Sequence, residues 1–265
     1  MSMMKQDKLW LGTNTKMYKT VVQTKEFLVN LQQLTASLSR EDLELFVIPS
    51  YTALESASHV TDSSLIRLGA QNMGWEDEGQ FSGEISPLML KELGVSTVMI
   101  GHSERRHVFL ETDEMENKKV LCALRHGMIP LLCVGETGEE KALGMSDKVL
   151  RRQLEKGLAG VTAEQAKTIR IAYEPVWAIG VSGVPASKEY ACEKHGVIRQ
   201  VLAELFGSDF AAGIPVLYGG SVNPQNAPEL ILMENIDGLF IGRSAWQADS
   251  FNSIIRTVLP LWKQK

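Results

Sequence analysis

The sequence predicts an α/β fold: a single domain over residues 1–265, built as a closed (β/α)8 barrel. Three observations carry this. Eight short apolar runs recur along the chain, most of them continuous rather than alternating, as in parallel strands covered on both faces. Segments with helical spacing lie between them. The 265-residue length suits a closed eightfold barrel better than an open sheet. The GxGxxG turn that an open doubly wound sheet often carries after its first strand is absent.

The strand runs are, in order, LWLGTNTK (the 8–16 region), ELFVIPS (44–50), IRLGAQN (66–72), STVMIGHS (96–103), MIPLLCVGET (128–137), TIRIAYEPVW (168–177), IPVLYGGS (214–221) and IDGLFIGRS (236–244). In the first helical segment, Phe27, Leu28, Leu31 and Leu34 share a face. In KEYACEKHGVIRQVLAELF, Ala191, His195, Ile198, Leu202 and Leu205 do the same. No linker, low-complexity tract or composition break divides the chain.

Composition narrows the function. The chain is 44% apolar and 22% charged, ordinary for a globular protein. A net charge of -5 gives no basic footprint for nucleic acid. An anionic small substrate is still allowed, because a site makes its own local field. No apolar run approaches the roughly 18 residues that span a bilayer. The N-terminus, MSMMKQDKLW, lacks the apolar segment of a signal peptide. Cys122, Cys133 and Cys192 are too few and scattered for a disulfide framework and read as inert thiols. His59, His107, His126 and His195 read as surface or packing residues. Neither they nor the cysteines show metal-ligand spacing. The expectation is a soluble cytoplasmic protein with no metal, nucleic-acid or membrane partner.

In a barrel of this kind the site lies at the C-terminal ends of the strands. Asn14 and Lys16 end the first run, and period-two alternation puts them on one side. Lys16 can neutralise an anion, though a solvated strand-end lysine is the plainer reading. In GHSERR, His102 leaves a strand and Ser103 is expected to cap the following helix. A helix N-terminus opposes the cationic form of His102, so a neutral ring can donate to a carbonyl; a satisfied buried histidine is the alternative. Glu104 can pair with Lys16. YGGSV and IGRSA, with Ser221, Gly242 and Arg243, look like phosphate handling, since glycines let backbone N–H groups approach an anion. In YEPVWAIGVSGVPAS, Glu174 precedes an apolar and then Gly-rich stretch. Folding Pro175–Trp177 over the carboxylate would exclude water and raise its basicity.

With these residues in place, the chain resembles the triosephosphate isomerase family along almost its entire length. NTK, AQN…FSGEIS, GHSERR, CVGET, YEPVWAIG, YGGSVNPQN and DGLFIG carry the resemblance. It implies a TIM barrel that isomerises a small sugar phosphate without a cofactor, in glycolysis and gluconeogenesis. Glu174 would be the base, His102 the acid that polarises the carbonyl, and Lys16 the cation for phosphate and enediolate. Asn14 would stand beside Lys16 and Glu104 would support it. Gly180, Ser221, Gly242 and the backbone of Arg243 would cradle phosphate, and Val176–Ala186 would form a lid. GWEDEGQFSGEIS resembles a loop that docks into a second subunit, with Gln80, Phe81 and Ser82 at its tip, which implies a homodimer.

Departures from the family pattern gather at substrate-facing places. Thr15 stands where a Trp is usual, and Tyr18 where an Asn is usual. The lid reads Gly180-Val181-Ser182-Gly183-Val184-Pro185-Ala186, one residue longer than usual, and Arg243 replaces a glycine. GxxGxPA and GLFIGRSAW resemble the erythrulose phosphate isomerase branch. Two substrate pairs therefore stay open: dihydroxyacetone phosphate with glyceraldehyde 3-phosphate, and L-erythrulose 1-phosphate with D-erythrulose 4-phosphate. A non-catalytic sugar-phosphate-binding barrel is the third reading.

Overall fold

The structure, a computed structural model, describes residues 6–180 and 183–265; Val181 and Ser182 of the expected lid, and the first five residues, lie outside it. The strands are β1 (Leu9–Asn14), β2 (Leu43–Ile48), β3 (Arg67–Ala70), β4 (Thr97–Ile100), β5 (Ile129–Val134), β6 (Arg170–Tyr173), β7 (Val216–Tyr218) and β8 (Gly238–Ile241). Each pairs in parallel with its neighbours in sequence, and β8 pairs with β1 to close the barrel. At least one helix follows every strand, from Val21–Thr35 after β1 to Ala248–Gln264 after β8. The eight apolar runs thus become the eight strands of a (β/α)8 barrel. No helix among the described residues is long and apolar enough to cross a membrane.

Local chemistry sets the helix ends. Thr20 caps Val21–Thr35, and Gln23 reaches back to the Thr20 N–H to complete a capping box. Ser187 accepts from the Tyr190 N–H to start Lys188–Phe206, and Gly207, at φ 87°, ends it. Both faces of the strands are buried, which explains the continuous apolar runs. Leu9 and Leu11 of β1 pack outward beneath the helices, while Trp10 faces the barrel interior. On β8, Leu239 and Ile241 point outward and Phe240 inward.

The closing strands meet around missing side chains. Gly12 pairs in register with Phe46 on one side and Phe240 on the other. A Cβ at Gly12 would sit 2.2 Å from the Phe46 ring, and one at Gly238 would sit 2.1 Å from the Trp10 carbonyl oxygen. The Phe46 and Phe240 rings stack instead, with centroids 5.7 Å apart.

His195 is one expected packing histidine. It is fully buried, faces Asn235 O at 3.0 Å through Nδ1 and meets Tyr173 edge-on. A carbonyl can only accept, so Nδ1 carries a proton. Burial lowers its pKa from 6.5 to about 3. Between these values the unfolded chain holds the extra proton. The stabilisation is therefore full above about pH 6.5 and is lost as the pH falls toward 3. H195F is expected to lose less stability than the parent between pH 6.5 and 4.5, read as denaturation midpoint against pH. Parallel profiles would show that His195 does not titrate on unfolding.

Candidate active site

A cavity of about 480 Å³ opens at the C-terminal ends of the strands. Asn14, Lys16, His102, Glu104, Glu174, Gly180, Ser221, Gly242 and Arg243 all line it. They come from five strand ends and the loop after β6, and the parallel barrel brings them together.

Lys16 leaves β1 in a left-handed conformation, φ 52°, which is uncommon for a non-glycine residue. Two amide side chains hold it there. Asn14 Oδ1 accepts from the Lys16 N–H at 2.7 Å. Gln71 Nε2 donates to Asn14 Oδ1 at 3.0 Å and to Lys16 O at 2.7 Å. The side chain then reaches Glu104, with Nζ 2.7 Å from Oε1. That pair was expected. The role of Gln71 was not, although AQN at the end of β3 was the signal available.

His102, not Ser103, caps the helix Ser103–His107, which corrects the expected cap. The Glu104 N–H donates to His102 Nδ1 at 3.1 Å. In a neutral ring this leaves the proton on Nε2, which lies 3.5 Å from Glu174 Oε1. Arg106 holds the strand ends behind the histidine. Its Nε donates to Gly101 O at 2.8 Å, and its guanidinium also reaches Cys133 O at 3.0 Å and Asp113 at 2.6 Å.

Glu174 is buried just beyond β6, and its Oε2 accepts from the Ser103 N–H at 3.3 Å. Space for it comes from glycines whose purpose was not legible. A Cβ at Gly219 would lie 2.9 Å from Glu174 Cγ, and one at Gly135 would lie 1.9 Å from Glu174 O. Cys133 sits beneath, fully buried. Desolvation, and then the Glu174 carboxylate, push its thiol well above the ordinary range, so it stays an inert thiol.

The segment after Glu174 differs from expectation. Trp177 does not lie over the carboxylate. Its Nε1 donates to Glu136 Oε1 at 2.9 Å, and Lys141 Nζ stands 3.3 Å from its ring centroid. Glu136 is fully buried and also accepts from Tyr173 at 3.1 Å and Tyr190 at 2.8 Å. A buried carboxylate surrounded by donors is a better indole partner than an apolar wall. The cavity side of the loop is formed instead by Ala178, Ile179, Gly180 and Gly183.

The departures Tyr18 and Trp246 also meet. Their ring centroids are 4.6 Å apart, both line the cavity, and Trp246 Nε1 donates to Asn14 O at 2.9 Å. Arg243 starts the 3-10 turn Arg243–Ala245 and is exposed. Away from the cavity, Asp77, Cys122 and His126 bring potential metal-ligand atoms within 4.8 Å of one another. Arg125 already supplies a cation there, 2.7 Å from Asp77 and 3.5 Å from Cys122 Sγ.

The fold is a (β/α)8 barrel, and its cavity sets a histidine and a carboxylate against each other at the mouth. The family model for triosephosphate isomerase matches residues 9–258. The chain is 49% identical to the L-erythrulose-1-phosphate isomerase of Rhizobium etli over 94% of its own length and 92% of that protein. It is 48% identical to the protein of the same name from Mesorhizobium japonicum, over 93% and 95% of the two chains. Identity to the triosephosphate isomerase of Dictyoglomus thermophilum is 44%, over 93% and 98%. The chain belongs to the triosephosphate isomerase family, and it is an isomerase of that family.

Q71L removes the two hydrogen bonds that Gln71 gives to Asn14 and Lys16. The expected result is a stability loss of about 1–3 kcal/mol in urea unfolding, with a fall in isomerase kcat/KM. Unchanged values for both would show that the left-handed turn needs no support from Gln71.

Proposed function

We propose that this isomerase interconverts L-erythrulose 1-phosphate and D-erythrulose 4-phosphate through an enediolate. One observation carries the chemistry: His102 Nε2 and Glu174 Oε1 stand 3.5 Å apart on a cavity that Lys16 also lines. Glu174 takes the proton from C3, and the electron pair of that C–H bond forms the C2=C3 double bond. The carbonyl oxygen at C2 becomes an oxyanion, which Lys16 stabilises and the His102 Nε2–H protonates. The proton on the C3 hydroxyl leaves by way of His102, Glu174 returns its proton to C2, and the carbonyl now stands at C3. One carbon is reduced as its neighbour is oxidised, so the reaction as written needs no external hydride.

In this reading the N–H groups of Gly180, Ser221, Gly242 and Arg243 cradle phosphate. The segment after Ala178 closes over the ligand and keeps water from the enediolate. The choice of a four-carbon substrate rests on the greater identity to relatives of that name and on the changed rim at Tyr18, Arg243 and Trp246. The triose reading is supported by the Dictyoglomus thermophilum relative, 98% of whose length is matched, and by the same acid–base pair.

Purified protein should show a higher kcat/KM for L-erythrulose 1-phosphate than for dihydroxyacetone phosphate. A triose kcat/KM near the diffusional ceiling, about 10⁸ M⁻¹s⁻¹, with little tetrulose turnover returns the protein to the triose reaction. E174Q should lose about 10²–10⁴-fold in kcat. Absence of proton exchange in deuterated water with the parent protein leaves only a binding barrel.

We also propose that the protein is a homodimer. Met17 is 95% exposed, Leu110 75% and Val108 67%, an unusual apolar exposure beside Lys16 and the helix that carries Glu104. Phe81 is exposed on the Gly74–Ile85 loop, where Gly74 N–H donates to Ile85 O at 2.8 Å. Sedimentation is expected to give twice the 29.3 kDa chain mass, and F81D with L110D is expected to give the monomer. A parent that sediments as a monomer at micromolar concentration removes the dimer.

A further inference from the structure

We infer that the Arg243 guanidinium is a second phosphate cation of this site, reaching over the ligand from a fixed base on the rim. The inference rests on the reading that a sugar phosphate occupies the cavity. It begins with the charges. The ionic side chains lining the cavity are Lys16, Glu104, Glu174 and Arg243. Lys16 Nζ is 2.7 Å from Glu104 Oε1, so this pair is close to neutral as a unit. Glu174 must be ionised to act as the base. A phosphate monoester brings nearly two further negative charges at neutral pH. Arg243 is exposed, and its side chain has no hydrogen bond or ion pair with the described residues. It is the lining cation left unmatched among them, and a dianion is the charge the cavity is to receive.

The place of Arg243 fits that task. It follows Gly242 directly at the end of β8. A Cβ built on Gly242 meets nothing within 4 Å, so the space beside that backbone is open to an anion. The turn below Arg243 is fixed at both ends. Ala245 N–H donates to Gly242 O at 2.9 Å, and Trp246 N–H to Arg243 O at 3.1 Å. The Trp246 indole then donates to Asn14 O at 2.9 Å and packs on Tyr18. The base of Arg243 is thereby tied to β1, the strand that delivers Lys16. The two cations spring from adjacent strands, one already paired and one free to swing. A planar guanidinium presents two parallel N–H donors that match two phosphate oxygens, a fixed fork that an ammonium does not offer.

The test uses the parent, R243Q and R243K, checked for equal thermal stability. KM for the ketose phosphate that the parent turns over is measured beside Ki for inorganic phosphate, at low and high salt. R243Q is expected to raise both constants about ten- to a hundredfold and to flatten the salt dependence of kcat/KM. R243K is expected to recover part of each loss. KM and Ki in R243Q within about twofold of the parent overturn the inference. So does a raised KM with unchanged phosphate Ki, which places the side chain on the sugar or the loop. A parent that turns over no ketose phosphate overturns the functional reading itself. An active parent with an unaffected R243Q overturns this inference alone.

Discussion

The closing seam between β1 and β8 is the constraint on which this structure depends. Seven parallel pairings leave two strand edges, and only the eighth removes them. It needs Gly12, so that Phe46 and Phe240 stack where a side chain would stand, and Gly238, so that the backbone can approach Trp10. Asn14 and Lys16 end one side of the seam, and Gly242 and Arg243 end the other. The Trp246–Asn14 bond continues the same junction above the last ladder pair. Closure and site assembly are therefore one event, because the strands that shut the barrel carry a cation and a glycine turn to the same wall.

Rigidity at the mouth comes from polar groups that the chemistry does not consume. Gln71 and Asn14 hold a left-handed lysine. Arg106 bonds the carbonyls that precede His102 and underlie Glu174. Glu136 gathers two phenols and an indole. Each is a buried or half-buried polar group, costly to leave unpaired, and each is given partners whose geometry then fixes a neighbouring functional residue. The glycines at 135 and 219 are the complement, since Glu174 sits where their side chains would be.

The rim is organised differently. Tyr18 lies far in sequence from Arg243 and Trp246, which share one turn, yet the three form one strip along the cavity. Two aromatic rings fix the backbone while the charged side chain beyond them stays exposed. In general, one fold can keep its chemistry at the floor of a site and alter what it acts on by changes at the rim.

Much of this was legible in the sequence. Continuous apolar runs separated by helical spacing specified parallel strands buried on both faces, because period and burial leave their mark residue by residue. Strand-end position marked Asn14, Lys16, His102, Glu174, Ser221 and Gly242, since all parallel strands point the same way. The Lys16–Glu104 pair followed from reach and opposite charge. Other features depended on contacts across the barrel. The cap at His102 rather than Ser103 turns on where a ring nitrogen meets the Glu104 N–H. The turning of Trp177 toward Glu136 depends on a carboxylate 41 residues away. Gln71, Gly135 and Gly219 look ordinary in one dimension because their purpose is the room or the hydrogen bond they give to residues of other strands. Periodicity and charge are local, so the sequence alone determined the strands and which side chains reach the mouth. Which donor meets which acceptor is a matter of distances between chain segments, and only the closed barrel decided it.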